Sequence, residues 1–374
     1  MPTSKRIKTA VFGCGQISEV YLENMMNRFS CLDVVACCSK NGASAKKRAE
    51  QFGIKAMSAE EIFADSSIEL IVNLTPATEH YDIIKMSLEA EKNVYTEKIL
   101  TPSYNKAKEL CELAKEKNLR IGCAPDTFLG SAIQTAKKAI ERGEIGQIMS
   151  CSANLNRDCT CSYTPGRFTT LKGGGVGFDV GIYYITAILS ILGSASKACG
   201  FCLNTTPEYV VEDSNSQYFG QKCIVDNENI MIGNVLFRNG VATTLHFCGR
   251  TIYPETPSII FYGTKGIIIL PDPNCFGGKV LIMRKGESNY SELENEFFFD
   301  DNSRGLGVAE MAWSIMQNRP HRASVEMAAH AVEILCAIEK SSETGITHLI
   351  YSEFTPSLPL KPKYECEREE DSIK

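Results

Sequence analysis

The stretch Val11-Phe-Gly-Cys-Gly-Gln-Ile-Ser18 follows directly on a run of mainly apolar residues that starts at Ile7. A dinucleotide pyrophosphate needs a tight turn at the first glycine of such a stretch, a side-chain-free approach at the second, and a small third residue so that helix and strand pack closely. Gly13, Gly15 and Ser18 have these three properties. The pattern therefore predicts a strand that ends at Gly13 and a dinucleotide-binding turn behind it.

The residues after this turn are spaced as an amphipathic helix. Its apolar face comprises Ile17, Val20, Tyr21, Met25 and Phe29. The N–H groups of the first helical turn, at Gln16 and Ile17, would point at the phosphates, because a helix N-terminus attracts anions. Glycine pairs also occur at ordinary turns, so the position between a strand and a helix is what favours the dinucleotide site.

The composition is that of an ordinary globular protein with room for two packed domains, at 374 residues and 41.2 kDa. The formal net charge of −6 and the pI near 5.6 give no general attraction to nucleic acid or to an anionic membrane, so a small-molecule partner is favoured. The N-terminal residues are polar, and no apolar run approaches membrane-spanning length. We therefore expect a cytoplasmic protein with no membrane partner.

The sixteen cysteines are scattered through predicted strands and helices, which indicates reduced thiols. Cys199 and Cys202 have the C-x-x-C spacing of redox and metal sites, and Cys159 and Cys161 form a second close pair. No second C-x-x-C and no paired histidines complete a zinc set. Strand cysteines without a ligand are the favoured interpretation, and no metal site is predicted.

A nearly continuous apolar run over residues 32–38 predicts the second strand of a parallel sheet. Proteins that prefer NAD usually place an acid after this strand to hold the ribose diol, but here Ser39 and Lys40 stand there. Together with Lys46-Lys47-Arg48 they could accept a 2′-phosphate, which slightly favours NADP over NAD. In the alternative, the basic residues are the solvated face of a helix and NAD binds without its usual acid.

Two further buried strands are followed by residues that would face the cofactor crevice of a parallel sheet. The strand over 68–74 stops at Thr75-Pro76, whose backbone and hydroxyl can contact the dinucleotide. His80 is either a satisfied helix histidine or a further cofactor contact. The next strand delivers Glu97-Lys98 at its carboxyl end, the position at which ligands lie in such sheets. Before any family is considered, these two residues by themselves favour a solvated loop pair.

The alternation of strands and helices predicts a right-handed parallel sheet over residues 1–128, in which Asp126 is grouped with the cofactor residues. From 129 to 355 the pattern changes to short strands joined by turns, with Asn239-Gly240 as a strong hairpin turn. This predicts an open, mainly antiparallel sheet. The predicted strands are 147–154, 197–203, 230–237, 241–247, 258–262 and 267–270. Residues 356–374 are predicted to form a loosely held polar tail.

A glycine-rich segment interrupts this second domain. Four glycines between residues 173 and 177 would let the backbone approach something large and flat. Asp179 and Tyr183 are spaced i, i+4 and would share one face of the apolar helix that follows. They are either a surface pair or a functional pair. Arg167, just before the glycines, is either a substrate contact or a plain surface arginine.

These residues together resemble the family of glucose–fructose oxidoreductase, inositol dehydrogenase and MocA (Gfo/Idh/MocA). The resemblance runs from about Ile7 to Gly345 and rests on the glycine turn, Thr75-Pro76 with His80, Glu97-Lys98, the triple glycine with 179–183, and the stretch 318–345. It implies an α/β Rossmann domain at the N-terminus and an α+β domain with an open, mainly antiparallel sheet at the C-terminus. The open face of that sheet commonly forms the interface of a homodimer or homotetramer in the family.

The resemblance also implies a nicotinamide cofactor and a sugar, polyol or cyclic diol as substrate. By position, Lys98 is similar to the family lysine beside the reacting oxygen, and Asp179 to its substrate-binding acid. Tyr183 stands where many members have histidine, a variant found in members that act on sugars and dihydrodiols.

Three positions depart from the family pattern. Ile99 replaces the proline that commonly follows Glu-Lys, which bears on how the backbone presents Lys98. Ala77 stands where an asparagine is frequent, and Ser39 replaces the acid of members that prefer NAD.

Oxidation of a secondary alcohol needs a base, and a cation or donor that stabilises the developing alkoxide. Lys98 and Tyr183 can share this work, because a neighbouring ammonium favours the phenolate of a tyrosine whose pKa is otherwise about 10. Asp179 would orient a second hydroxyl of the substrate and keep Lys98 charged.

We therefore expect an NAD(P)-dependent oxidoreductase that reversibly converts a ring hydroxyl of a sugar, glycoside or cyclitol to a ketone. A glycoside 3-dehydrogenase and an aldose or trans-dihydrodiol dehydrogenase remain open, as does tight retention of the cofactor. Substrate choice is assigned to the loops 157–168 and 250–255. The rival class is a non-catalytic sensor of dinucleotide or sugar, and the set of Lys98, Asp179 and Tyr183 argues against it.

Overall fold

The computed structural model describes residues 6–252 and 258–361. Its first half is a six-stranded parallel sheet in the order β3-β2-β1-β4-β5-β6. Strands β1 to β6 are Ile7–Phe12, Leu32–Cys38, Lys55–Ala56, Leu70–Asn73, Asn93–Thr96 and Ile121–Cys123. The central strands are buried on both faces, as their apolar runs require, and the predicted Rossmann-type arrangement is confirmed.

Helices α1 to α5 connect these strands and cover the sheet. They are Ile17–Asn27, Ala43–Phe52, Ala59–Ala64, His80–Glu89 and Tyr104–Glu116. The short α3 begins at a complete capping box, in which the Ser58 hydroxyl accepts the Glu61 N–H and the Glu61 carboxylate accepts the Ser58 N–H.

The second half contains a nine-stranded sheet in the order β16-β15-β14-β13-β7-β12-β11-β8-β17, as far as the described residues extend. Strands β7 to β17 are Ile148–Asn156, Ala195–Leu203, Glu208–Val210, Lys222–Ile224, Ile230–Phe237, Ala242–Cys248, Ile259–Gly263, Gly266–Leu270, Leu281–Arg284, Ser291–Glu292 and His348–Leu349. Strands β9 and β10 form a separate hairpin. The sheet is mainly antiparallel, as predicted, but β7 and β12 run parallel at its centre.

Helices α6 to α9 hold the two sheets together. They are Ser131–Glu141, Ile182–Leu192, Leu306–Met316 and Val325–Thr344. Helix α9 packs on β8 and against α5 and α7, whereas α8 packs on α1 and on the last strands of the first sheet. Just before α9, the Cys123 N–H donates to Ala323 O, and Gly122 forms an antiparallel bridge with Ser324. Late residues of the chain therefore complete the edge of the first sheet.

The described part of the predicted tail is docked, contrary to the expectation of a loose segment. Leu360 is buried, and its N–H donates to the Gln134 side chain at 2.7 Å. Arg322 reaches the carbonyl oxygens of Leu358 and Pro359. These contacts explain the docking at 356–361, and residues 362–374 lie outside the described part of the chain.

Candidate active site

The glycine turn has the geometry that its sequence predicts. Gly13 has a φ of +92°, and a Cβ at this position would lie 2.5 Å from Leu74 O, so the turn packs against the end of β4. At Gly15, in contrast, no atom of the described residues lies within 4 Å of a built Cβ. The first glycine is thus required by the protein itself, and the second leaves an open approach to the backbone.

Helix α1 begins at Ile17, and among the described residues no side chain caps its N-terminus at Gln16. Its first N–H groups are therefore available to an anion at the turn. The Ser18 hydroxyl is buried and donates to Gly15 O at 2.6 Å. Arg48 Nε donates to this hydroxyl at 3.1 Å and Arg48 Nη2 to Gly15 O at 3.3 Å, so Arg48 braces the turn from α2.

Ser39 and Lys40 differ in how far the protein engages them. The Ser39 hydroxyl accepts the Ala45 N–H at 3.0 Å and bonds Ser44 Oγ at 2.9 Å, which fixes the start of α2. The Lys40 side chain is 92% exposed and lies 3.9 Å from Glu79. Ser39 is thus a fixed hydroxyl after the end of β2, and Lys40 is an exposed ammonium next to it that is loosely paired with Glu79.

His80 is fully buried and links the ends of two strands. Its Nδ1 lies 2.6 Å from Ile99 O and its Nε2 lies 2.8 Å from Thr75 O. Burial lowers the pKa of this imidazole. Thr75 is held in turn by the Asn73 carboxamide, whose oxygen accepts the Thr75 hydroxyl at 2.6 Å. The histidine therefore braces the backbone on both sides of the predicted crevice.

Glu97 is held at the end of β5 by two donors. Tyr21 on α1 donates its hydroxyl to Glu97 Oε1 at 2.7 Å, and the Lys98 N–H donates to Glu97 Oε2 at 3.0 Å. The carboxylate thereby joins α1 to the residue that carries the predicted catalytic ammonium. With Ile99 in place of the usual proline, the Lys98–Ile99 peptide bond is cis.

Lys98, Asp179 and Tyr183 are brought together from the two halves of the chain. Lys98 Nζ lies 2.6 Å from Asp179 Oδ1 and 2.6 Å from Asp179 O. It also lies 5.5 Å from the centre of the Tyr183 ring. Asp179 sits in a wide turn, Gly177–Gly181, that leads into α7, and Tyr183 sits in the first turn of α7. The functional interpretation of this pair is therefore favoured over a surface pair.

Burial and neighbouring charges act in opposite directions on the pKa values of Lys98 and Tyr183. Burial alone would lower the pKa of the Lys98 ammonium, but Asp179, Tyr183 and Glu97 outweigh it and the pKa is raised, so the lysine stays charged. The pKa of Tyr183 is also raised, because burial of the phenol outweighs the nearby cations. Lys98 lowers the pKa of Tyr183, as expected, but burial of the phenol has the larger effect, and the spacing in the sequence did not reveal that burial.

Arg304 is a member of this cluster that the sequence pattern did not reveal. Its guanidinium lies close enough to the Tyr183 phenol to lower the pKa of that group, and its Nη2 donates to Asn274 Oδ1 at 2.9 Å. The phenol thus has two cations near it, Lys98 and Arg304. No motif surrounds Arg304, and only its place directly before the helical stretch that starts at Gly305 could have drawn attention to it.

Asp126 sits behind this cluster and orders the segment that carries the arginine. Its Oδ2 accepts the N–H groups of Gly305 and Gly307, each at 3.0 Å, and so caps the start of α8. Burial raises the pKa of Asp126 to about 6, although the two N–H groups oppose this. The direct contacts of Asp126 in the structure are therefore with α8.

The glycine-rich run packs against the protein, which explains most of its glycines. A Cβ at Gly174 would lie 1.9 Å from Phe168 O, and a Cβ at Gly175 would lie 1.9 Å from Glu228 Oε2. At Gly177 the nearest atoms belong to Met231. Close packing on these residues accounts for the run without a large flat ligand. Arg167, at the start of this region, is exposed.

The chain matches two family models that together span most of its length. Residues 7–124 match the model of an oxidoreductase family with an NAD-binding Rossmann fold, and residues 133–269 match the Gfo/Idh/MocA C-terminal domain. The chain belongs to the Gfo/Idh/MocA oxidoreductase family. The resemblance inferred from the motifs is therefore confirmed.

Curated relatives within the Gfo/Idh/MocA family share moderate identity with the chain. An uncharacterized oxidoreductase of Schizosaccharomyces pombe is 31% identical over 50% of this chain and 52% of its own length. The chain thus spans about half the length of the first curated relatives it matches. A D-glucoside 3-dehydrogenase of Escherichia coli is 24% identical and aligns over 92% of this chain and 97% of its own length.

Solved structures share the fold. A levoglucosan dehydrogenase in complex with NADH and levoglucosan superposes with a TM-score of 0.80 at 16% identity, covering 92% of this chain and 100% of that chain. An aldose-aldose oxidoreductase from Caulobacter crescentus complexed with glycerol superposes with a TM-score of 0.77, also at 16% identity, over 92% of this chain and 100% of that chain.

The two loops assigned to substrate choice contact each other within the described residues. Arg250 pairs with Asp158 at 3.4 Å and so links the two loops, whereas 253–257 lie outside the described residues.

Within 6–252 and 258–361, no helix is long and apolar enough to cross a membrane. The same residues contain no group of three or more histidine, cysteine or acidic side chains suited to a metal ion.

Proposed function

We propose that this chain is an NAD(P)-dependent oxidoreductase that reversibly oxidises a ring hydroxyl of a sugar, glycoside or cyclitol to a ketone. The observation that carries the proposal is the contact of the Lys98 ammonium with Asp179 and with the Tyr183 ring, at the carboxyl end of β5. Ligands of such sheets bind beyond the carboxyl ends of the strands. The relatives named above, a glucoside dehydrogenase and a levoglucosan dehydrogenase, support a carbohydrate substrate.

The turn fits a dinucleotide by its own geometry. Gly15 leaves an open approach, and the first N–H groups of α1, from Gln16 and Ile17, have no side-chain cap among the described residues. These groups would hold the pyrophosphate, and Thr75-Pro76 would line the crevice at the end of β4. When bound, a nicotinamide ring supplies the hydride acceptor for oxidation and the hydride donor for reduction.

Tyr183 and the side chains around it would transfer the proton to and from the substrate oxygen. In the direction of reduction, the neutral phenol can donate its proton to the substrate oxygen, because its raised pKa keeps it protonated at neutral pH. Lys98 and Arg304 then stabilise the phenolate that remains, and Lys98 also stabilises negative charge on the substrate oxygen. Oxidation uses the same groups in reverse, with the phenolate as the base. Asp179 holds Lys98 in place and would orient a neighbouring hydroxyl.

Within this proposal, glycosides oxidised at the 3-hydroxyl are our preferred substrates, which would make the protein a glycoside 3-dehydrogenase. The D-glucoside 3-dehydrogenase of Escherichia coli supports it, since that relative aligns over nearly its whole length. An aldose dehydrogenase is the second candidate, supported by a D-xylose 1-dehydrogenase of Hypocrea jecorina that is 25% identical over 50% of this chain. A trans-dihydrodiol dehydrogenase and a non-catalytic sensor are the further alternatives.

The experiment that tests the proposal starts from the purified protein. Its bound nucleotide is identified by mass spectrometry, and a panel of glucosides, inositols and aldoses is then added with NAD or NADP. We expect absorbance of the reduced nicotinamide to appear with at least one sugar. Binding of nucleotide without oxidation or reduction of any panel member would favour the sensor.

We propose NADP as the preferred cofactor, with Ser39 as the deciding residue. Ser39→Asp is expected to shift the ratio of kcat/KM for NADP over NAD toward NAD by about tenfold or more, because a carboxylate repels a 2′-phosphate and accepts a ribose hydroxyl. An aspartate can still accept the Ala45 N–H that Ser39 accepts. Ser44→Ala, which removes a neighbouring hydroxyl without adding charge, is the control. A ratio that stays constant would refute the role of Ser39.

We further propose a homodimer or homotetramer formed through the open face of the nine-stranded sheet. Apolar residues on that face are strongly exposed: Phe201 is 68% exposed, Leu203 50% and Ile232 41%. The mass in solution, measured by light scattering, tests this, and a monomer would contradict it.

We also propose a cytoplasmic location, because the fifteen described cysteines carry free thiols, which reducing compartments maintain.

A further inference from the structure

The short segment 226–228, between β10 and β11, forms hydrogen bonds with the loops that lead into the active-site turn. The Asp226 N–H donates to Thr170 O at 2.8 Å, and the Asn227 amide donates to Thr169 O at 2.6 Å. The Val176 N–H donates to the carbonyl oxygen of Glu228 at 3.1 Å. The segment thus fastens the chain on both sides of the triple glycine.

The Glu228 side chain reaches the start of the turn that carries Asp179. Glu228 Oε1 accepts the Gly177 N–H at 3.1 Å, and the carboxyl group occupies the space in which a Cβ of residue 175 would lie. Gly175 O in turn accepts the Asp179 N–H at 2.8 Å. A continuous chain of bonds therefore runs from Glu228 through Gly175–Asp179 to the Lys98 ammonium, which donates to Asp179 Oδ1 and to the Asp179 backbone carbonyl oxygen, each at 2.6 Å.

The charged and titratable groups around Glu228 are mostly acidic. Glu339 on α9 faces it, and Lys172 lies beside Glu339. The thiol of Cys202 on β8 and the phenol of Tyr163 lie close enough to be affected by its charge. Burial and the charge of Glu339 raise the pKa of Glu228 to about 8.

We propose that Glu228 is a positioning residue, whose carboxyl group holds the turn 175–179 so that Asp179 stays in contact with Lys98. This inference rests on the proposed function, because it concerns the alignment of the same reaction. Glu228 lies behind the turn and has no contact with Lys98 or Tyr183, so it acts on the reaction only through the backbone of Asp179.

Two variants separate the hydrogen bond from the charge. Glu228→Gln keeps an oxygen that accepts the Gly177 N–H, and we expect its kcat near neutral pH to stay within about threefold of the native value. Glu228→Ala is expected to lower kcat by about tenfold to a hundredfold, because a misplaced Asp179 misaligns the site. The dissociation constant of the nicotinamide cofactor should stay unchanged in both.

Glu333→Ala is the matched control. Glu333 is also a buried glutamate that accepts backbone N–H groups, those of Tyr351 and Ser352 at 2.9 Å each, but it lies outside the chain of bonds that leads to Asp179. It should lower the melting temperature without lowering kcat. Equal losses of kcat in Glu228→Ala and Glu228→Gln, or an unchanged kcat in Glu228→Ala, would overturn the proposal.

Hydrogen exchange supplies a readout that does not need turnover. Amides 176–181 should exchange faster in Glu228→Ala than in the native protein or in Glu228→Gln, and equal exchange in all three would overturn the positioning role. If no sugar is oxidised by the native protein, the proposed function fails, while this comparison still decides whether Glu228 holds the turn.

Discussion

Lys98→Met is expected to lower kcat for sugar oxidation by about a thousandfold, which is the scale observed when a preorganised group that stabilises a developing oxyanion is removed. The contacts with Asp179 keep Lys98 charged in the native protein, since its pKa is raised despite burial. Methionine has a similar length but no charge, so both the substrate oxygen and the Tyr183 phenolate lose the stabilising charge of Lys98. Steady-state kinetics at saturating sugar and cofactor measure the effect.

Lys92→Met is a control of matched chemistry for this variant. Lys92 is also buried, and its Nζ donates to Asp65 O at 2.8 Å and to Ile68 O at 2.9 Å, away from the cluster. It should lower stability but leave kcat near the native value. A Lys98→Met enzyme that retains more than about a tenth of the native kcat would contradict the mechanism.

Gly13→Ala is expected to weaken cofactor binding by about a hundredfold or more and to lower the melting temperature. At a φ of +92° an alanine is strained, and its Cβ would lie 2.5 Å from Leu74 O, so backbone atoms of β4 or of the turn have to move. The turn presents the N–H groups of α1, and any shift misplaces them relative to the pyrophosphate. Titration of fluorescence with the reduced cofactor measures the dissociation constant.

Gly53→Ala is the control for Gly13→Ala, because it introduces backbone strain without a steric clash. Gly53 ends α2 at a φ of +68°, and within the described residues no atom lies within 4 Å of its built Cβ. It should cost some stability, on the order of 1 kcal/mol, without changing cofactor affinity. Similar cofactor affinities for Gly13→Ala and the native protein would refute the structural role assigned to the first glycine.

The parallel half of the fold could be predicted from the sequence because its signals are local. The apolar run at residues 32–38 coincides with β2, and the capping pattern at Ser58 coincides with the start of α3. The parallel pairing of β7 with β12 could not be predicted, since it depends on how the long connection through α7 folds back. Strand pattern specifies which face is buried, but it does not specify the direction of the neighbouring strand.

In the candidate site, too, residues within sequence motifs could be predicted, whereas residues placed by long-range contacts could not. Lys98 and Asp179 were found because each lies within a recognisable motif, and the structure brings them within 2.6 Å. Arg304 and Glu228 have no motif, and their roles depend on contacts between segments that are distant in the chain. The raised pKa of Tyr183 depends on burial, which the i, i+4 spacing does not report.

The cap that Asp126 places on α8 has a consequence for protein engineering. Arg304 precedes this helix directly, so the loop after the last strand of the first sheet determines where the guanidinium lies. A chimaera that joins residues 1–128 of this chain to the second half of a relative would combine that loop with a foreign α8. A functional exchange of halves should therefore transfer the stretch from about Asn302 to Ser324 together with the first sheet, because these residues complete it despite their late position in the gene.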